Sequence, residues 1–174
     1  MRLKNRFCRL PPVCALVAAL RGIIGRLRFE RRYVGSVLVM EDGQRFRVFR
    51  HLSLRRSGAE GQVSPAALVV RFKFARFSQG LNRWLSLIPV PMIGGYPGFR
   101  DKLWMADEET GYWQGVYEWE SPEAIEAYRR SFVLRTMNRR AAPQSISYAV
   151  MERTQLADYV NRWTEASVLA AQTH

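Results

Sequence analysis

Between Ala67 and Thr154 the hydrophobic period switches from two to 3.6 and back, twice over, and few folds accept the resulting order of elements. From Ala67 to Phe77, Leu68, Val70, Phe72 and Phe74 fall on one face of an extended chain, with Arg71 and Lys73 on the other. Leu81, Trp84, Leu85 and Ile88 share one side of a helix, which Pro89 and Pro91 end or kink because they lack the backbone donor. Phe99 to Asp107 and Tyr112 to Glu120 then read as a hairpin around Glu109-Thr110-Gly111, rich in the aromatic residues that suit a pleated surface. Ser121-Pro122-Glu123 opens a second helix: serine caps a free N–H, proline suits the first helical position and the acid suits the positive helix end. That helix is expected to run to about Asn138, and Ser145 to Glu152 alternates again as a fourth strand. The order β-α-β-β-α-β is the split βαβ motif, an α+β, ferredoxin-like domain with four antiparallel strands and both helices on one face. The other face is expected to be bare, and an uncovered apolar sheet face implies a partner, hence a homodimer.

Four segments are expected: a basic amphipathic helical arm over 1–32, an accessory β-hairpin and linker over 33–65, the ferredoxin-like domain over 66–154 and a C-terminal helical tail over 155–174. Charge separates them. Residues 1–65 hold 14 Lys/Arg against 4 Asp/Glu, whereas residues 66–174 hold 13 against 11, so the net charge of +12 sits mostly in the N-terminal part. An arm of that kind suits an anionic surface. On helical spacing Leu16, Leu20, Ile23, Ile24 and Leu27 share one face and Arg21 and Arg28 another, the pattern of a helix lying in a membrane interface. The same stripe suits packing against the domain or a second copy, and a cleaved signal ending near Val17 and Ala19 is a third reading. The apolar run is too short and too interrupted to span a bilayer, so a cytoplasmic protein, peripheral to the membrane if the arm binds lipid, is expected. In the hairpin, Asp42-Gly43 between Val37-Leu38-Val39 and Phe46-Arg47-Val48 reads as a type I′ turn, and Ser57 to Ser64 as the linker.

The residue inventory removes several chemistries. Cys8 and Cys14 are the only cysteines, and His51 and His174 the only histidines, so neither a metal triad nor a histidine-based nucleophilic triad can be assembled. No phosphate-binding glycine loop or nucleophile elbow occurs. No metal or other cofactor is expected. Nucleic-acid binding would rest on charge alone, because the central strands lack the aromatic RNA-binding signature.

Short motifs within the domain carry a resemblance: Pro97-Gly98-Phe99, Lys102-Leu103-Trp104, Gly115-Val116-Tyr117-Glu118-Trp119, Glu123-Ala124 and Ala127-Tyr128. Over roughly Leu68 to Met151 the chain resembles the small monooxygenases of the dimeric α+β barrel superfamily, relatives of the antibiotic-biosynthesis monooxygenases. Residues 1–60 have no counterpart in the short members, and the prolines after Leu87 depart from an uninterrupted first helix. The resemblance implies a homodimer with a cavity between sheet and helices in each protomer, and oxygenation of an activated aromatic substrate without metal or flavin. The alternative is a non-catalytic ligand-binding or membrane-peripheral homodimer.

The residues offer candidates for such a site. Arg135 falls in the middle of the helical arc of Ala124, Tyr128, Ser131, Phe132 and Asn138. Its guanidinium would hold an anionic ligand oxygen, with Tyr128 orienting the substrate, or would pair with Glu118 or Asp107 on the sheet. Trp104, Tyr117 and Trp119 would wall an aromatic pocket or serve as core and dimer contacts, and Glu118 would accept a proton if buried or sit solvated on its strand.

Overall fold

The computed structural model describes residues 10–55 and 64–164. Helix α1 (Pro11–Ile23) is followed by strands β1 (Leu27–Glu30), β2 (Val37–Val39), β3 (Arg45–Leu54) and β4 (Ala66–Lys73). Helices α2 (Gln79–Leu85) and α3 (Val90–Gly94) lead into strands β5 (Phe99–Ala106) and β6 (Tyr112–Trp119). Helices α4 (Pro122–Arg129) and α5 (Phe132–Arg140), strand β7 (Ser147–Glu152) and helix α6 (Leu156–Trp163) complete the chain.

One antiparallel sheet runs in the order β1-β3-β5-β6-β4-β7, with β2 also paired to β3. Its β5-β6-β4-β7 portion, with α2 to α5 between the strands, is the expected split βαβ domain. The N-terminal hairpin extends that same sheet through β3 to β5, where Leu103 faces His51 and Trp104 faces Arg50. A bulge between Val48 and Arg50 reverses the alternation of β3. Phe46 and Val48 therefore enter the core on one face of the sheet, while Leu52 and Leu54 enter the core on the helix-bearing face.

Several boundaries differ from expectation. The N-terminal helix stops at Ile23, because Gly25 adopts φ +67° and turns the chain out of the helix; Leu27 and Arg28 belong to a strand, not to the helical faces assigned to them. Of Asp42-Gly43, only Gly43 has positive φ, so the hairpin loop is not type I′: the Gly43 N–H donates to Met40 O and the Met40 N–H to Gln44 O. Residues 57–63 of the expected linker and 165–174 of the expected tail lie outside the described residues. The helix expected from Ser121 to Asn138 is two helices, because the Ser131 hydroxyl accepts the Leu134 N–H and caps a new one. Ser121 caps α4 in the same way, with Pro122 first in the helix.

The second face of the sheet is not bare. Leu156, Tyr159 and Val160 of α6 pack on Leu103, Met105 and Val116 together with Leu38 and Met40 from the hairpin. The hairpin tip reaches across to β4, where Asp42 pairs with Arg71, and Gln114 Nε2 donates to Tyr159 Oη at 3.0 Å. A homodimer was expected because that face would be uncovered; the chain covers much of it itself, and the ground for that expectation is correspondingly reduced.

The N-terminal helix is held with no clearance. Cys14 and Ala18 are its buried residues, and a Cβ built on Gly95 would lie 1.7 Å from the Cys14 carbonyl oxygen. Arg21 Nη1 donates to Gly94 O at 2.6 Å across the same crossing.

Candidate functional site

Strand alternation directs Phe72, Lys102, Trp104, Trp113 and Tyr117 to the helix-bearing face of the sheet, where they form the floor of a cavity of about 300 Å³. Met92 and Ile93 of α3, Tyr128 of α4 and Val133, Met137 and Arg140 of α5 wall it, and the exposed side chains of Ile88 and Phe132 also line it. Gly115 belongs to the floor, directly opposite Trp104 in the ladder. A Cβ there would stand 2.9 Å from the Tyr117 ring, so glycine is what lets that ring lie over the strand.

The lining is apolar and aromatic, with two cations, Lys102 and Arg140, and no carboxylate among the described residues. Arg140 is held at the rim by Asn82 Oδ1, 3.1 Å from its Nη2, and by the Phe74 ring. Lys102 is 4% exposed, and its Nζ lies 4.0 Å from the centroid of the Trp104 ring and 4.2 Å from that of Tyr117. Burial, and then the Arg50 guanidinium, hold its ammonium well below the usual lysine range. The ring faces favour the cation by about 0.5–2 kcal/mol, while desolvating it costs several kcal/mol, so the balance runs against the charged form. Arg50 is fixed in place by Ser86 Oγ at 2.6 Å and Arg83 O at 3.0 Å.

Tyr128 is fully buried, its ring centroid 5.5 Å from that of Tyr117. Burial raises both phenols, so both stay protonated at neutral pH, and each also feels the other. The Tyr128 hydroxyl meets no partner at full hydrogen-bonding geometry, and the polar group that interacts with it is the neighbouring Tyr117 phenol. It is a buried donor in the wall of an apolar cavity, and pairing it with a ligand oxygen would remove the cost of leaving it unpaired.

Of the residues singled out in the sequence, Trp104, Tyr117 and Tyr128 come together in this cavity. Trp119 stacks on Tyr117 and lies against Tyr128, but it is fully buried and is absent from the lining. Glu118 lies on the opposite face, where its Oε2 accepts the Leu156 N–H at 2.8 Å at the start of α6; it is remote from the cavity for the simple reason that it alternates with Tyr117. Arg135 is exposed on α5 and does not line the cavity, so the guanidinium expected to hold a ligand oxygen is not there. His51 is also on the opposite face, its Nε2 3.0 Å from Asp101. Lys102 was not among the sequence candidates, although its spacing of two from Trp104 on one strand places both on one face.

No protein-family model matches the chain, and no curated protein matches it. Solved structures do. A ferredoxin-fold protein from Listeria monocytogenes, related to antibiotic-biosynthesis monooxygenases, matches 67% of this chain and 69% of its own with TM-score 0.50 and 7% identity. A monooxygenase-like protein from Listeria innocua matches 81% and 88%, with TM-score 0.49 and 9% identity. An anthrone oxidase-like protein matches 63% of this chain at 16% identity and TM-score 0.46, and the match spans only 54% of that protein's length. At such identities the likeness is one of fold. The chain has the α+β, ferredoxin-like fold of proteins related to the antibiotic-biosynthesis monooxygenases.

Proposed function

We propose that the cavity binds a flat aromatic molecule with an acidic oxygen or activated carbon and that the ligand is oxygenated there. The observation that carries this reading is the pairing, in one aromatic-walled cavity, of a buried amine on Lys102 with the buried Tyr128 hydroxyl. A neutral lysine takes the ligand's acidic proton, and the ammonium formed holds the anion in a medium of low dielectric. Tyr128 donates to the developing oxyanion. For an activated methylene, dioxygen supplies one atom to the carbon and leaves with the other and the two hydrogens as water. The ligand supplies all the electrons, so this stoichiometry needs no reducing cofactor. In this reading Lys102 takes the place expected for Arg135. Oxygen consumption with anthrone as probe tests it: consumption should fall on the order of a hundredfold in Lys102→Met, the usual scale of a lost general base. Equal consumption by both proteins would refute the assignment.

A second reading, a membrane-peripheral ligand carrier, is favoured by one observation. Leu16, Leu20, Ile23 and Ile24 are more than half exposed along and just beyond α1, while Cys14 and Ala18 face the domain. Residues 1–32 carry nine basic side chains and one acid. No helix among the described residues is long and apolar enough to cross a membrane, so such attachment would be in the interface plane. Flotation on vesicles with about a third anionic lipid tests it. Binding should be lost in the Leu20→Glu, Ile23→Glu double variant, and binding that survives would exclude α1 as the anchor.

A further inference from the structure

We propose that Lys102 is a nucleophile that forms a Schiff base with an apolar or aromatic aldehyde or ketone taken into the cavity. The inference rests on the reading of the cavity as a ligand site, and it does not require oxygenation.

The geometry supports it in three ways. First, the amine is enclosed: Lys102 lies on the cavity floor between two aromatic rings, with no carboxylate in the lining to hold it as a cation. Second, the charge that acts on the amine has the wrong sign. The Arg50 guanidinium carbon lies 5.6 Å from the centroid of the same Trp104 ring, and a lysine desolvated beside another cation is the arrangement that makes an amine nucleophilic near neutral pH. Burial also holds the ammonium well below its ordinary range. Third, Tyr128 offers a buried hydroxyl beside the Tyr117 phenol to the same space, where it can donate to a carbonyl oxygen and draw electron density from the carbon.

The reaction balances without a co-reactant. The lone pair of Nζ forms a bond to the carbonyl carbon and a proton passes from nitrogen to oxygen, giving a carbinolamine. Loss of one water then leaves a carbon–nitrogen double bond, with no change in oxidation state. The product imine is neutral, so a cavity that opposes an ammonium does not oppose the adduct. An apolar carbonyl compound also covers the aromatic lining, which a small hydrophilic aldehyde would not.

The chain is well suited to a decisive test, because it has only three lysines, Lys4, Lys73 and Lys102. Full-length protein is treated with 2-naphthaldehyde and cyanoborohydride near pH 7, and the adduct is located by peptide mass mapping. The hydride reduces the imine carbon and leaves a stable secondary amine, heavier by the aldehyde less one oxygen atom. Lys102 is expected to label at least about tenfold faster than Lys73 or Lys4, because an ordinary lysine is almost wholly protonated at that pH. The adduct is expected to vanish in Lys102→Arg, which keeps a long nitrogen-bearing side chain without a free primary amine, and to be suppressed by 2-naphthol, which has the same rings and no carbonyl. If Lys102→Arg does not fold, labelling of the natural chain with and without 2-naphthol decides alone. Labelling spread evenly over the amines, or missing Lys102, overturns the proposal. In that event 2-naphthol separates the two readings: if it still quenches tryptophan fluorescence saturably, the cavity remains a ligand site and only the Schiff base fails, whereas no quenching removes both.

Discussion

Replacing Lys102 by methionine is expected to stabilise the protein, and to do so more at neutral than at alkaline pH. Methionine has similar length, fills the space between Trp104 and Tyr117, and needs no hydration. Exchange of a buried ion pair for apolar residues of similar volume is often neutral or stabilising by about 1–4 kcal/mol, and relief of an unpaired buried amine is expected on the same scale. For a chain of this size each kcal/mol raises the melting temperature by about 2–4 °C. The pH dependence follows from the direction of the lysine shift. In the unfolded chain lysine titrates near about 10.4, and in the folded protein burial first, and Arg50 second, hold Lys102 well below that. Between the two values the unfolded chain binds a proton that the folded one does not, so the stability of the natural protein rises with pH across that window. The methionine variant lacks this contribution. Every other titration is common to both proteins, including those of Tyr117, Tyr128, Arg50 and Arg140, which face the same cavity or the same ring. The gap between the two proteins should therefore narrow as pH approaches that of free lysine. Urea unfolding of both at about pH 7 and about pH 10 measures it. A variant that is less stable at neutral pH, or a gap equal at both values, would show that Lys102 is not a desolvated amine.

Gly95→Ala places a methyl on the Cys14 carbonyl and should cost about 3 kcal/mol or more, visible in the urea midpoint and in faster labelling of the Cys14 thiol by maleimide. Arg135→Ala should change stability by no more than about 0.5 kcal/mol and leave 2-naphthol affinity untouched, since the side chain is exposed and outside the cavity. Glu118→Ala removes the acceptor for the Leu156 N–H and should cost about 1–2 kcal/mol, with faster amide hydrogen exchange confined to α6.

The domain was legible wherever one physical signal dominated. Alternation in Leu68, Val70 and Phe72, and the Ser121-Pro122-Glu123 start, each leave a single local solution, and the structure adopts it. Arg135 was misplaced for a specific reason. Its helical arc was drawn through Ala124 to Asn138 as one helix, and the cap at Ser131 begins a new helix in which that phase no longer holds. A serine serves as well inside a helix as at its start, so its position alone does not reveal the break. Trp104 and Tyr117 meet because large aromatics on one face of a sheet have few places to go, and Tyr128 joins them from the buried face of α4. Lys102 was legible from its spacing to Trp104, but a cation on a strand ordinarily faces water, and only the covering helices put this one in the interior. The covering of the second face by α6 depends on contacts across more than a hundred residues, such as Tyr159 Oη with Met40 Sδ, and no local pattern encodes it.

The crossing of α1 with α3 bears on the cavity from behind. Ile93 projects into the cavity, and the next two residues, Gly94 and Gly95, are the ones against which α1 is seated. The wall of the cavity is thus one helix thick there, and its reverse side is occupied by the N-terminal segment. With the Cys14 carbonyl lodged in the space above Gly95, α1 cannot slide or lift without carrying that wall along. The position of that wall therefore depends on residues that do not line the cavity, and a change at Cys14 or Arg21, where α1 meets α3, has a short mechanical route to the interior.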